Sequence, residues 1–154
     1  MPSPAESKFV YVTYIRTTAE RLWSALTSSD FAQTYWLGAH PEAEWKKGGA
    51  WRLLFPDGRV ADSGEIVEFE PTKRLAIRWR NEWLPEAREE GWSLCTMEIA
   101  PAAGESVKLT VTHAIERENS QLIGAVSGGW PQILSNLKSL LETGAAILPP
   151  KTFS

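Results

Sequence analysis

The stretch Val126–Gly144, VSGGWPQILSNLKSLLETG, decides how the rest of the chain is read. Val126, Trp130, Ile133, Leu134, Leu137, Leu140 and Leu141 fall on one apolar stripe about four turns long, which predicts an amphipathic helix. Ser135, Lys138 and Glu142 sit off that stripe. Gly144 suits a C-terminal cap, and Pro149-Pro150 ends any helix. Gly128-Gly129-Trp130-Pro131 speaks against a regular helix. Pro131 has no N–H for the Ser127 carbonyl, and each glycine costs about 1 kcal/mol relative to alanine. A kink or break is expected there. One apolar stripe has to lie on an apolar surface, and the preceding sequence supplies a sheet.

Lys8–Arg16, KFVYVTYIR, is dense in β-branched and aromatic residues and predicts a strand covered in part on both faces. Thr17-Thr18-Ala19-Glu20 is a capping-box pattern with Thr17 as N-cap and Glu20 three residues on. Ala19, Leu22, Trp23 and Leu26 then follow at helical spacing, and a second short helix is expected over roughly 29–35. From Lys47-Gly48-Gly49 onward the period changes to two. Strands are predicted over 50–55, 60–69, around Leu75, Ile77 and Trp79, over 91–99 and over 107–114. Pro56-Asp57-Gly58-Arg59 and Glu70-Pro71-Thr72-Lys73 mark turns between them, and Ala102–Glu105 the last hairpin. Residues 84–90 read as a polar loop. Hairpins this short imply an antiparallel meander. Two registers stay open: Ile66 against Val67 and Phe69, and Trp92 and Leu94 against Met97 and Ile99. The fold class is α+β, with a curved antiparallel sheet of about six or seven strands around the C-terminal helix. One domain is expected over 8–145, with 1–7 and 146–154 as tails.

The chain has 154 residues, 43% hydrophobic and 23% charged, with a net charge of −3. Its scattered basic residues argue against nucleic acid, which needs clustered Lys and Arg. No stretch approaches the roughly 20 apolar residues of a membrane span. Cys95 is the one cysteine, so no intrachain disulfide forms, and the polar first residues lack a signal-peptide core. A cytoplasmic protein is expected, monomer or homodimer.

The order of elements, read with particular residues, resembles the helix-grip (START-like) superfamily. The residues are Tyr14-Ile15, Leu22-Trp23, Tyr35-Trp36, Asp57-Gly58-Arg59 and Gly64-Glu65-Ile66-Val67-Glu68, then Pro71 before Arg74-Leu75, and Trp79. Leu109-Thr110-Val111-Thr112-His113 and Gly129-Trp130 ahead of Leu134, Leu137 and Glu142 complete the pattern. Within the superfamily the chain is similar to the family named for the C-terminal domain of the heat-shock-protein ATPase activator. The resemblance implies the helix-grip fold. Its members bind lipids, hormones or polyketides, catalyse cyclisation or hydration, or regulate a chaperone. Fold alone does not choose among these.

His40, His113 and Cys95 are far apart and lack metal-ligand spacing, so no metal and no cofactor is expected. Cys95 lies mid-strand between Leu94 and Thr96 and reads as a small buried hydrophobe. His113 ends a strand with Leu109 and Val111 on its inner face; it is either a ligand contact or general base, or a core histidine satisfied by its neighbours. Alternation puts Glu65 and Glu68 on opposite faces, with one of them bridging Arg78. The eight tryptophans are the stronger clue. Trp36, Trp51, Trp79 and Trp130 come from separate elements that meet between sheet and helix, around either a filled core or a cavity. The expected lining is Trp36, Trp51, Leu53, Phe55, Leu75, Ile77, Trp79, Leu109, Val111, His113, Val126, Trp130 and Leu134. The leading expectation is non-catalytic binding of a small hydrophobic or aromatic molecule. A protein-interaction or chaperone-regulating module, and a cyclase or hydratase using His113, are the alternatives.

Overall fold

The computed structural model describes residues 5–150. Strand β1 (Ser7–Ile15) is followed by helices α1 (Ala19–Leu26) and α2 (Ser29–Tyr35), then by β2 (His40–Ala43), β3 (Ala50–Leu54), β4 (Val60–Glu70) and β5 (Arg74–Asn81). A short helix α3 (Pro85–Glu89) precedes β6 (Ser93–Pro101) and β7 (Val107–Ile115), and α4 (Gln121–Thr143) closes the fold. The strands form one seven-stranded sheet in the order β1-β7-β6-β5-β4-β3-β2. Every neighbouring pair is antiparallel.

Several expectations need correcting. Strand β2 carries no alternating pattern and includes Pro41, so periodicity could not find it; it pairs with β3 through four residues. The segment read as a polar loop contains α3, with Pro85 in its first turn. The α1 cap is Thr18, whose hydroxyl accepts from Arg21 N at 3.1 Å, and Thr17 stands one residue outside. Strand β1 is not covered on both faces: Val10, Val12 and Tyr14 are 51%, 45% and 54% exposed. Helix α4 does not break at Pro131 but runs on to Gly144, whose left-handed φ of 88° ends it. Burial of Trp130, Ile133, Leu134 and Leu137 holds the helix together through the residue that cannot donate. Beyond it, Asn136 is buried and ties residues 147–148 back onto the helix, its Oδ1 accepting from Ile147 N and Leu148 N and its Nδ2 donating to Leu148 O. The remaining tail residues, 1–4 and 151–154, lie outside the described ones.

A bulge at Val67 resolves the first open register. Ile66 faces Ile77 while Glu68 faces Ala76, so one extra residue changes which parity points inward. Ile66 is therefore buried, and Phe69 also turns inward, meeting Trp23 edge-on at 5.1 Å. The same bulge puts Glu65 and Glu68 on the outer face together. Glu68 pairs with Arg74, and Arg78 lies over the Trp92 ring at 4.6 Å instead of bridging a glutamate. In β6, Cys95, Met97 and Ile99 point inward and Leu94 outward.

Helix α4 is clamped at both ends. At its start Ser120 accepts from Ile123 N, and the Glu90 carboxylate accepts from the Ser120 hydroxyl, Gln121 N and Leu122 N. Burial raises the Glu90 pKa, but these hydrogen bonds outweigh it and leave the group below its ordinary range. Near its end Lys138 Nζ donates to Tyr14 O at 2.6 Å, and Glu142 accepts from Arg16 N at 2.8 Å. Across the sheet, Ser29 Oγ donates to Pro41 O.

Two glycines should respond oppositely to alanine. A Cβ on Gly64 would stand 1.8 Å from Arg78 O, whereas one on Gly124 meets nothing within 4 Å. Urea unfolding should show Gly64→Ala losing more than about 2 kcal/mol and Gly124→Ala gaining about 0.5–1 kcal/mol.

Candidate ligand-binding cleft

Tryptophan brings a large apolar body and one N–H that needs an acceptor once buried. Four tryptophans converge where β3 and β5 face α4 and the end of α2. Trp79 is the hub: its ring centroid lies 4.4 Å from Trp51, 5.9 Å from Trp130, 6.2 Å from Trp36 and 5.0 Å from His113. Trp36 and Trp130 meet edge-on at 5.2 Å.

His113 satisfies one of these N–H groups. Trp130 Nε1 donates to His113 Nδ1 at 3.2 Å, and His113 Nε2 lies 2.8 Å from Ser93 Oγ. Ser93 already donates to Trp79 O at 2.8 Å, so it accepts from the histidine, which is the neutral tautomer protonated on Nε2. Burial pushes the His113 pKa down to about 3. Both nitrogens are engaged inside the core, and neither a lone pair nor a proton is offered to the cleft. Cys95 is equally sealed, its thiol pushed up by burial.

The space between sheet and helix is filled at one end and open at the other. Trp51, Ile77 and Leu134, with Trp36 and Trp130, surround a void of only about 10 Å³. Leu75, Leu109, Val111 and His113 are fully buried and stand apart from the open part. The open part is a cleft of about 210 Å³ walled by Trp36, Leu53, Phe55, Trp79, Val126 and Trp130 of the expected residues. Leu37, Ala61, Asp62, Asn81, Leu84, Leu122, Gly129 and Ile133 join them, and none of these was anticipated as lining. A larger, shallow groove of about 860 Å³ lies elsewhere, beside the start of α1 and the β6–β7 hairpin, and holds none of the aromatic set.

Asp62 is the residue sequence reasoning missed. Among the described residues it is the one ionisable side chain on the cleft, and it is buried. Its Oδ1 accepts from Trp79 Nε1 at 2.9 Å and Asn81 Nδ2 at 3.1 Å, while Oδ2 accepts from no described residue. Burial raises its pKa to about 7 against the two hydrogen bonds, and the Glu82 charge adds to the rise. The available signal was Trp79: a buried indole on an inner face requires an acceptor, and Asp62, two residues from Gly64 opposite Trp79, is the nearest acid of the neighbouring strand on that same face.

A seven-stranded antiparallel sheet holding a long C-terminal helix, with a cleft between them, defines a helix-grip protein. The profile of the Activator of Hsp90 ATPase homolog 1-like protein family matches residues 16–142, and the chain belongs to that family. Among solved structures it is similar to protein MLL2253 from Mesorhizobium loti, at 23% identity and a TM-score of 0.75 over 88% of this chain and 96% of that one. CalU16 from Micromonospora echinospora matches at 20% identity and 0.70, over 92% and 87%. PFC0360w, an HSP90 activator from Plasmodium falciparum, matches at 21% and 0.71, over 87% and 95%. At these identities the likeness shows the fold. No curated protein sequence matches the chain.

An acid whose pKa is raised on folding favours the folded state most at low pH. Asp62 therefore contributes stability below its unfolded pKa near 4, and that contribution is lost as pH rises toward about 7. His113, with its pKa depressed, has the opposite slope in the same window. Comparison with Asp62→Asn isolates the carboxyl: the stability of the variant relative to wild type, from urea midpoints, should rise from pH about 5 to about 8.

Proposed function

We propose that this chain is a receptor for a small apolar molecule, taken up without chemical turnover in the cleft between β3–β5 and α4. The observation that carries the reading is the cleft itself: about 210 Å³ of mostly apolar wall with two polar side chains, Asp62 and Asn81, at one place. Small-molecule sites have this composition. A cavity of about 150 Å³ holds benzene, and drug-sized ligands need about 300 Å³ or more, so the volume suits one ring with a short substituent. The engaged nitrogens of His113 and the sealed thiol of Cys95 support binding over catalysis. Gly129 supports an open wall: it lines the cleft, and a Cβ there meets nothing within 4 Å.

Titration with single-ring hydrocarbons should change tryptophan fluorescence and raise the melting temperature. Gly129→Leu fills the space and should weaken binding at least tenfold while the protein stays folded. Absence of any response in wild type, or equal affinity in the variant, would overturn the reading.

A second reading has its own observation. Val10, Val12, Tyr14 and Leu94 leave apolar surface on the outer face of the sheet, around Thr110 and Thr112. An apolar patch on an exposed face is the mark of a protein-docking surface, and one relative of this fold is described as an HSP90 activator. If this face docks on that chaperone, Val10→Lys with Val12→Lys should abolish stimulation of its ATPase without lowering the melting temperature. No stimulation by wild type ends this reading.

A further inference from the structure

The chemistry of the cleft narrows its ligand, on the premise that the cleft is a ligand site. Asp62 has only neutral hydrogen-bond donors, the Trp79 indole and the Asn81 amide, and both act on the same oxygen. Among the described residues, no Lys, Arg or His lines the cleft. A carboxylate out of water without a counter-charge is costly, and the cost falls when a cation enters beside it. Trp36, Trp79, Trp83 and Trp130 bring indole rings to the otherwise mostly aliphatic wall, and the electron-rich face of an indole attracts organic cations. An anionic ligand would meet both the carboxylate and these ring faces as repulsion. We propose that the cleft selects a small organic cation, an ammonium group on an apolar body, with the nitrogen against Asp62 Oδ2 and the body among Trp36, Trp79 and Trp130.

Other charged groups near Asp62 leave the pH dependence readable. On β3, Leu53 stands opposite it. After β5, Glu82 is held by Ser63, Arg80 and Arg88; burial raises its pKa, those partners outweigh that, and it stays ionised above the usual carboxylate range. Across Trp79, His113 is neutral at every pH considered. From α4 the cleft receives Leu122, Ala125, Val126, Gly129, Trp130 and Ile133, none of which titrates. Among the described residues, the cleft therefore changes charge between about pH 5.5 and about pH 8.5 at Asp62 alone.

The test compares benzyltrimethylammonium with neopentylbenzene, its uncharged carbon isostere, by calorimetry and tryptophan fluorescence on the full chain. The cation should bind at least tenfold more tightly at pH about 8.5, and its affinity should fall on the order of tenfold by pH about 5.5, while that of the hydrocarbon stays flat. Asp62→Asn keeps an oxygen for Trp79 and Asn81 but removes the charge, so the ratio of cation to hydrocarbon affinity should fall to about one and lose its pH dependence. Equal affinity for the two probes, or a preference that survives in Asp62→Asn, overturns the inference and leaves the cleft a receptor for neutral molecules. If neither probe binds wild type, the receptor reading fails and this inference falls with it.

Discussion

Buried indole N–H groups have to be paired, and that requirement organises the interior of this protein. Trp130 of α4 donates to His113 of β7, His113 donates to Ser93 of β6, and Ser93 donates to the backbone of Trp79 on β5. Trp79 in turn donates to Asp62 of β4. One polar chain thus runs from the helix across four adjacent strands through an otherwise apolar core. Each link fixes a ring orientation, and an unpaired link would forfeit about 1–3 kcal/mol of desolvation. The histidine earns its place as a joint in this chain, because imidazole can accept on one nitrogen while donating from the other.

The chain also explains why the interior is closed on one side and open on the other. Where rings are locked, Trp51, Ile77 and Leu134 close the gap to about 10 Å³. Beyond Trp79 the chain ends on a carboxylate, the facing helix offers Ala125, Val126 and Gly129, and these side chains are too small to reach the sheet. Gly129, one of the glycines that weaken α4 as a helix, is thus a residue that leaves room beside it. The Glu90 carboxylate, bound to the first turn of α4, steadies the half of the helix that has the poorest intrinsic propensity.

Much of the architecture was legible in the sequence because it rests on periodicity. The stripe from Val126 to Leu141 gave α4, and alternation gave six of the seven strands. What failed lacked a period or broke one. Four residues, HPEA, cannot display alternation, and the Val67 bulge inverts parity in mid-strand, which is why Ile66 and Phe69 looked incompatible. At the site, alternation correctly turned Trp51, Leu53, Leu75, Ile77 and Trp79 inward. It could not say how far along the helix each would lie, so core residues such as Leu109 and Val111 were grouped with cleft residues such as Leu53. Asp62 escaped because an acid in the run VADSGEIV reads as solvated; only its partner across the strands, Trp79, reveals why it is buried.

The fastening of the two outermost strands has a consequence for how this protein meets others. A sheet margin with free backbone groups is a template for a foreign strand, and native proteins blunt it with charge and proline. Here the Tyr14 carbonyl at one margin is taken by Lys138, and the Pro41 carbonyl at the other by Ser29. Proline supplies no amide hydrogen of its own. One acceptor at each margin is thereby withdrawn from a strand that would lengthen the sheet, and at Pro41 the amide donor is missing as well.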